Sequence, residues 1–242
     1  MTNYHISGKG KLVVLLHGWG DTAEGLKNLN ESLSSNYKVL TLDLPGFGGT
    51  QTPSDVWDLD NYSDFLNKTL SKLDLEQPYA VIGHSNGGAL AIRAVSLGKI
   101  SPKKLILVAA SGIRSGNNLK RFSLTVIAKT GNIATIWMPE RYRQGLRKSL
   151  YQTAGSDMLV APNLEDTFKK TVRQDVQADA LKINLPTLLI YGKNDTATPV
   201  RYGYAYNKLI EGSKLEIIDD AGHFVHHDQS KKVLELIKDF LK

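Results

Sequence analysis

The sequence predicts an α/β fold: a mostly parallel, doubly wound sheet interrupted once by a helical insertion. Three observations predict it. Six short apolar runs recur along the chain with amphipathic stretches between them, the rhythm of parallel strands joined by crossover helices. The runs are rich in Val, Ile and Leu with little polar alternation, as strands buried on both faces are. The interval 110–186 has no comparable run and reads mainly as helix, and it is too long for a plain loop.

The elements follow in order. Residues 12–16 form the first run, and only eleven residues precede it. The second, 39–42, ends in Asp43-Leu44-Pro45-Gly46-Phe47-Gly48-Gly49-Thr50, where proline and glycines mark a rigid turn. Residues 61–73 place Tyr62, Phe65, Leu66, Leu70 and Leu73 on one side of a helix. Strand 79–82 runs into a small-residue helix start, Gly87, Gly88, Ala89 and Ala91, and strand 105–109 follows. The insertion reads as helices over 119–129, 140–152 and 164–179. Strands 187–191 and 215–218 resume the rhythm, and a final helix carries Val233, Leu234, Ile237, Phe240 and Leu241. The expected organisation is a core of residues 1–111 and 183–242 with a helical cap, or lid, at 112–182.

Composition narrows the function. A chain of 242 residues suits one domain, or one domain with a sizeable insertion. The absence of cysteine excludes disulfides, a thiol nucleophile and thiolate metal ligation, and it fits a reducing compartment. The first residues lack the shape of a signal peptide, and no run approaches the ~20 apolar residues of a membrane span. The expectation is a cytoplasmic protein without a membrane span. The net charge of +6 is unevenly spread: residues 112–182 hold 12 Lys+Arg against 6 Asp+Glu, and the remainder balances. A basic patch suits an acidic partner, although a solvated helical surface explains it as simply. Nucleic acid is not expected, because few aromatics interleave with the charges and no recognition motif is present.

The chemistry-bearing residues stand where strands end. Gly83-His84-Ser85-Asn86-Gly87 fits Gly-x-Ser-x-Gly between a buried strand and a small-residue helix, the context in which the serine becomes an exposed nucleophile on a strained turn. A free serine is a poor nucleophile and needs a base. Of His5, His17, His84, His223, His226 and His227, the best placed is His223, after the last strand and behind a glycine. His226 and His227 are expected near the first turn of the final helix, solvated or lining the mouth of the site. The base needs a carboxylate. Asp195, in the loop after 187–191, fits, whereas Asp219 and Asp220 stand too close to His223 in sequence to reach its outer ring nitrogen. The glycines of His17-Gly18-Trp19-Gly20 free backbone N–H groups. The backbone N–H groups of Trp19 and Asn86 are therefore the expected oxyanion hole, with His17 tying the loop down. Neither Gly-x-Gly-x-x-Gly nor Gly-Lys-Ser/Thr occurs, and no metal-ligand cluster is visible. No cofactor and no metal are expected.

Five motifs in order, His17-Gly18-Trp19-Gly20, Asp43-Leu44-Pro45-Gly46-Phe47-Gly48, Gly83-His84-Ser85-Asn86-Gly87, Gly192-Lys193-Asn194-Asp195 and Gly222-His223, make the sequence resemble the α/β-hydrolase superfamily over essentially the whole chain. The order Ser85, Asp195, His223 is also that of the superfamily. The resemblance implies a Ser85–His223–Asp195 triad, a sheet of the α/β-hydrolase type and a helical cap. The short N-terminal stretch implies that the superfamily's antiparallel leading strands are shortened or missing. Branches with an Asp nucleophile (dehalogenases, epoxide hydrolases) or a Cys nucleophile (dienelactone hydrolases) do not fit. Carboxylesterases, meta-cleavage-product C–C hydrolases, enol-lactonases and cofactor-free perhydrolases remain. The two glycine motifs, the short N-terminus and the basic cap also resemble pimeloyl-acyl-carrier methyl esterases, whose partner is an acidic carrier protein. The expected function is a serine hydrolase cleaving a small carboxylic ester through an acyl-enzyme on Ser85. C–C bond hydrolysis of a ring-cleavage dienoate and acyl-carrier-linked methyl ester hydrolysis are the alternatives. A ligand receptor on the same fold would usually lack a triad member, and all three are present. Phe122, Trp137, Met138 and Tyr142 are candidates to line the substrate pocket, with packing of the cap as the competing reading.

Overall fold

A computed structural model describes residues 1–114 and 164–242. Its centre is a seven-stranded sheet. In chain order the strands are β1 (Tyr4–Ser7), β2 (Leu12–Leu16), β3 (Lys38–Leu42), β4 (Ala80–His84), β5 (Lys104–Val108), β6 (Thr187–Gly192) and β7 (Lys214–Ile218). In space they run β1-β3-β2-β4-β5-β6-β7. All pairings are parallel except β1 with β3, where Tyr4 faces Leu42 and Ser7 faces Val39. The six apolar runs are β2 to β7. β1 escapes sequence reading because its residues, Tyr-His-Ile-Ser, are exposed or half-buried at the sheet edge and carry no apolar run. Among the described residues β1, four residues long, is the strand that pairs antiparallel.

Alternation along each central strand divides the core in two, because successive side chains point to opposite faces. Leu12, Val14 and Leu16 of β2, with Leu105 and Leu107 of β5, join one buried cluster, while Val13, Leu15, Ile106 and Val108 join another. The first cluster includes Leu59, Tyr62, Leu66 and Leu70 of α2 (Leu59–Lys72) and Leu90 and Ile92 of α3 (Asn86–Ser96). The second includes Leu29 and Leu33 of α1 (Lys27–Leu33). Each buried Leu, Ile or Val stabilises the fold by roughly 1.5–3 kcal/mol relative to exposure.

Helix α2 starts two residues before the expected 61 because Asp58 caps it. The Asp58 carboxylate accepts from the N–H groups of Asp60 and Asn61, and the Asn61 side chain accepts from the Asp58 N–H, a reciprocal capping box.

The expected helix 164–179 is broken. It becomes α4 (Glu165–Arg173) and α5 (Gln177–Ala180), parted where Gln174 turns extended at ψ 133°. Two tertiary bonds hold the break. Val176 N–H donates to the Gly112 carbonyl, and the Leu59 N–H donates to Gln174 Oε1. On α5, Asp179 receives the Arg93 guanidinium and the Ser96 hydroxyl from α3. The expected helices 119–129 and 140–152 lie outside the described residues. The chain closes with α6 (Val200–Leu209), α7 (Val225–Asp228) and α8 (Ser230–Leu241). Val233, Ile237 and Leu241 of α8 pack into the second cluster. Among the described residues no helix is long and apolar enough to cross a membrane.

Candidate active site

Because β2, β4, β6 and β7 are parallel, the loops that follow them meet at one edge of the sheet, where open α/β sheets bind ligands. Four of the sequence motifs stand in those loops.

Ser85 sits between β4 and α3 at φ 51° and ψ −115°. A non-glycine residue there is strained by about 1–3 kcal/mol. Backbone hydrogen bonds fix the turn: Ser85 N–H donates to the Val108 carbonyl at 2.9 Å, and the Ser85 carbonyl accepts from Gly88 and Ser111 at 3.0 Å each. The flanking glycines are required by contact. A Cβ on Gly83 would collide with the Gly87 carbonyl, and one on Gly87 with the Leu16 carbonyl. Strand β4, the start of α3 and the end of β2 can approach this closely only without those side chains.

The turn leaves Ser85 9% exposed. Ser85 Oγ lies 3.0 Å from His223 Nε2, and His223 Nδ1 lies 2.8 Å from Asp195 Oδ2. An ionised carboxylate only accepts, so Nδ1 carries the proton and Nε2 presents a lone pair to the serine hydroxyl. Asp195 is 4% exposed. Its Oδ1 accepts from the N–H groups of Ala197 and Thr198, and its Oδ2 from the Thr198 hydroxyl as well as His223. Burial alone would raise its pKa, but the hydrogen bonds from His223 and Thr198 outweigh that and hold the carboxyl below the ordinary carboxylate range. Such an arrangement can pass the Ser85 proton to His223 while Asp195 steadies the imidazolium.

Trp19 and Asn86 line the same cleft as Ser85 and His223. Asn86 opens α3, so its N–H belongs to the helix's N-terminal donors, which lack partners within the helix. The Trp19 ring packs edge-on against Phe47 at 4.9 Å and lies 5.1 Å from Phe168 of α4. His17 anchors this loop. Its Nε2 accepts from the Leu44 N–H at 2.9 Å and its Nδ1 donates to the Gly18 carbonyl at 2.7 Å. Burial keeps the His17 ring uncharged by lowering its pKa.

Three residues stand apart from the sequence reading. His226 was expected in solvent or at the mouth, but it is 2% exposed. The short helix α7 turns it inward beside Val225, and burial pushes its pKa down to about 3. His227 is exposed. His84 is buried too. Its ring lies 4.6 Å from that of His226 and 4.9 Å from that of His223, and its Nε2 donates to the His223 carbonyl at 3.0 Å. Burial first, then His226 and His223, hold its pKa well below the ordinary value. Thr198 joins the site as well, in contact with Asp195 and His223. The only sign of it was a hydroxyl three residues after Asp195, a spacing at which the two side chains can meet in a turn.

Asp219 pairs instead with Lys193 at the surface, 2.7 Å away. Phe122, Trp137, Met138 and Tyr142 lie outside the described residues. Among the described residues no group of three His, Cys, Asp or Glu could hold a metal ion.

Comparison with known proteins agrees with this architecture. The sequence profile of the alpha/beta hydrolase fold family matches residues 11–230. The chain is 27% identical to the 2-hydroxy-6-oxo-2,4-heptadienoate hydrolase of Pseudomonas putida, over 99% of this chain and 92% of that one. It is 23% identical to the pimeloyl-[acyl-carrier protein] methyl ester esterase of Neisseria meningitidis, over 96% of this chain and 77% of that one. The fold is also that of an esterase from Exiguobacterium antarcticum, with a TM-score of 0.77 at 20% identity, over 99% of this chain and 95% of that one. A profile match of that extent means that the chain belongs to the alpha/beta hydrolase fold family, and the protein is an enzyme, a hydrolase.

Proposed function

We propose that the protein is a serine hydrolase that cleaves a small carboxylic ester through an acyl-enzyme on Ser85. The observation that carries this reading is the hydrogen-bonded series Ser85 Oγ, His223 Nε2, His223 Nδ1 and Asp195 Oδ2, with spacings of 3.0 and 2.8 Å, set on a strained turn at the sheet edge. In the proposed cycle Ser85 Oγ attacks the acyl carbon as His223 Nε2 takes its proton. The oxyanion is held by the backbone N–H groups of Trp19 and Asn86, the latter aided by the positive end of α3. His223 then protonates the leaving alkoxide, which departs as the alcohol. Water repeats the sequence on the acyl-enzyme, releasing the acid and restoring Ser85.

Residues 112–182 are the proposed cap over this site, on a core of 1–111 and 183–242. Phe168, Thr171 and Val172 of α4 line the cleft beside Ser85, which supports that division. The surplus of basic residues in 112–182 and the likeness to a methyl ester esterase support an acidic acyl-carrier protein as a partner that delivers the acyl group.

One observation favours a second reading. Arg114 lines the cleft. A cation there suits a substrate that carries a carboxylate, as the dienoate named for the Pseudomonas putida relative does. The same machinery would then break a carbon–carbon bond. A short p-nitrophenyl ester assayed beside a vinylogous diketo acid separates the readings. Ester turnover that disappears in Ser85→Ala supports the first, and turnover of the diketo acid alone overturns it. On a carboxylate-bearing substrate, Arg114→Ala is expected to raise KM about tenfold or more, the loss of one charge-assisted hydrogen bond, and to leave a neutral ester within about twofold.

A further inference from the structure

The loop after β6 holds a hydroxyl with more neighbours than protons. Thr198 is 4% exposed and lines the cleft. Its Oγ1 lies 2.7 Å from Asp195 Oδ2, 2.9 Å from the Ala109 carbonyl and 3.1 Å from His223 Nδ1. The Ala109 backbone is itself in the left-handed region, at φ 47°, an uncommon conformation that clusters at functional sites. A hydroxyl has one proton and two lone pairs, and the carboxylate and the carbonyl compete for that proton. The carboxylate wins, because its contact is shorter and the acceptor is charged. The Thr198 lone pairs are then free to face His223, so the Nδ1 proton is shared between Asp195 Oδ2 at 2.8 Å and Thr198 Oγ1 at 3.1 Å.

We propose that Thr198 is a positioning residue that divides the pull of Asp195 on His223, keeping the His223 ring unprotonated, and so able to act as a base, to lower pH than the Asp–His pair alone would allow. A carboxylate oxygen that already accepts from Thr198 attracts the imidazolium less strongly than one that accepts from His223 alone. No bond is made or broken; the hydroxyl acts through the charge it partly neutralises. Among the described residues the other titratable groups around this ring are His84 at the end of β4 and His226 in α7, while Arg114 and Tyr202 of α6 share the cleft. Burial keeps both histidines uncharged, so the charge in hydrogen-bond contact with the ring is that of Asp195.

The inference rests on the reading of His223 as the base, and its test is built to fail separately. Thr198→Val keeps the shape and removes the hydroxyl; Thr198→Ser keeps the hydroxyl. Protonation of His223 is followed by imidazole 15N NMR, assigned with His223→Gln. In Thr198→Val it should occur about one pH unit higher than in the wild type, and in Thr198→Ser at the wild-type pH. The acid limb of ester hydrolysis should move by the same amount. Should Thr198→Val fail to fold, Thr198→Ala serves in its place. A folded variant without the hydroxyl whose His223 protonates at the wild-type pH overturns the proposal. If the wild type hydrolyses no ester, the serine-hydrolase reading fails, while the NMR shift still decides the role of Thr198.

Discussion

At the scale of single residues, the site depends on atoms that are absent as much as on those present. Ser85 can stand at φ 51° because Gly83 and Gly87 let β4, α3 and β2 close around it. Gly83→Ala should therefore lower stability by about 1–3 kcal/mol, the usual range for overpacking, and should reduce turnover in the protein that remains folded. Urea denaturation beside an activity assay checks this, and wild-type values for both would contradict it. Ser85, Asp195 and His223 were legible in the sequence because each follows an apolar strand in the order expected, and the chain brings all three into contact. Thr198 was not legible. Its spacing of three residues from Asp195 is compatible with a contact but selects none until the direction of the hydroxyl is known. The burial of His84 and His226 is hidden from the sequence for a related reason: whether an imidazole faces core or water depends on one turn of α7 and on the packing around the nucleophile turn.

At the scale of elements, α7 carries a consequence for stability. His226 has a folded pKa of about 3, well below the 6.5 of the unfolded chain. The unfolded state therefore binds more protons between those values, and stability falls as pH drops below 6.5 and goes on falling until about 3. At about 1.4 kcal/mol per pH unit for one proton, His226 alone removes roughly 2 kcal/mol at pH 5. The buried carboxylate of Asp195 acts later. Its depressed pKa contributes stability that is complete above 3.8 and is lost as pH falls through its folded value. His226→Phe should accordingly shift the midpoint of acid unfolding to lower pH, as followed by circular dichroism; an unchanged or higher midpoint would count against it. Central strands were the most legible elements, since burial on both faces demands unbroken apolar runs. β1 was hidden because an edge strand has no such demand. The break between α4 and α5 was hidden because Val176 and Gln174 are held by distant partners, Gly112 and Leu59, that no local pattern reveals.

At the scale of the whole molecule, a parallel sheet turns residues 19, 85, 195 and 223, far apart in sequence, into neighbours at one edge. The surplus of positive charge lies in a single internal segment, 112–182, whose described part already reaches the cleft through Phe168, Thr171 and Val172. Under the proposed function, scaffold and cap would divide the work: the sheet would fix the reacting groups, and the segment between β5 and β6 would meet the substrate. The central claim is that Ser85 is an activated nucleophile. Incubation with a fluorophosphonate probe, followed by mass spectrometry of the digested protein, tests it most directly. The account predicts one adduct, on the peptide containing Ser85, absent in Ser85→Ala and formed about 10³-fold or more slowly in His223→Ala. A folded wild-type protein that takes up no probe, or a Ser85→Ala variant that is labelled as fast as the wild type, would contradict it.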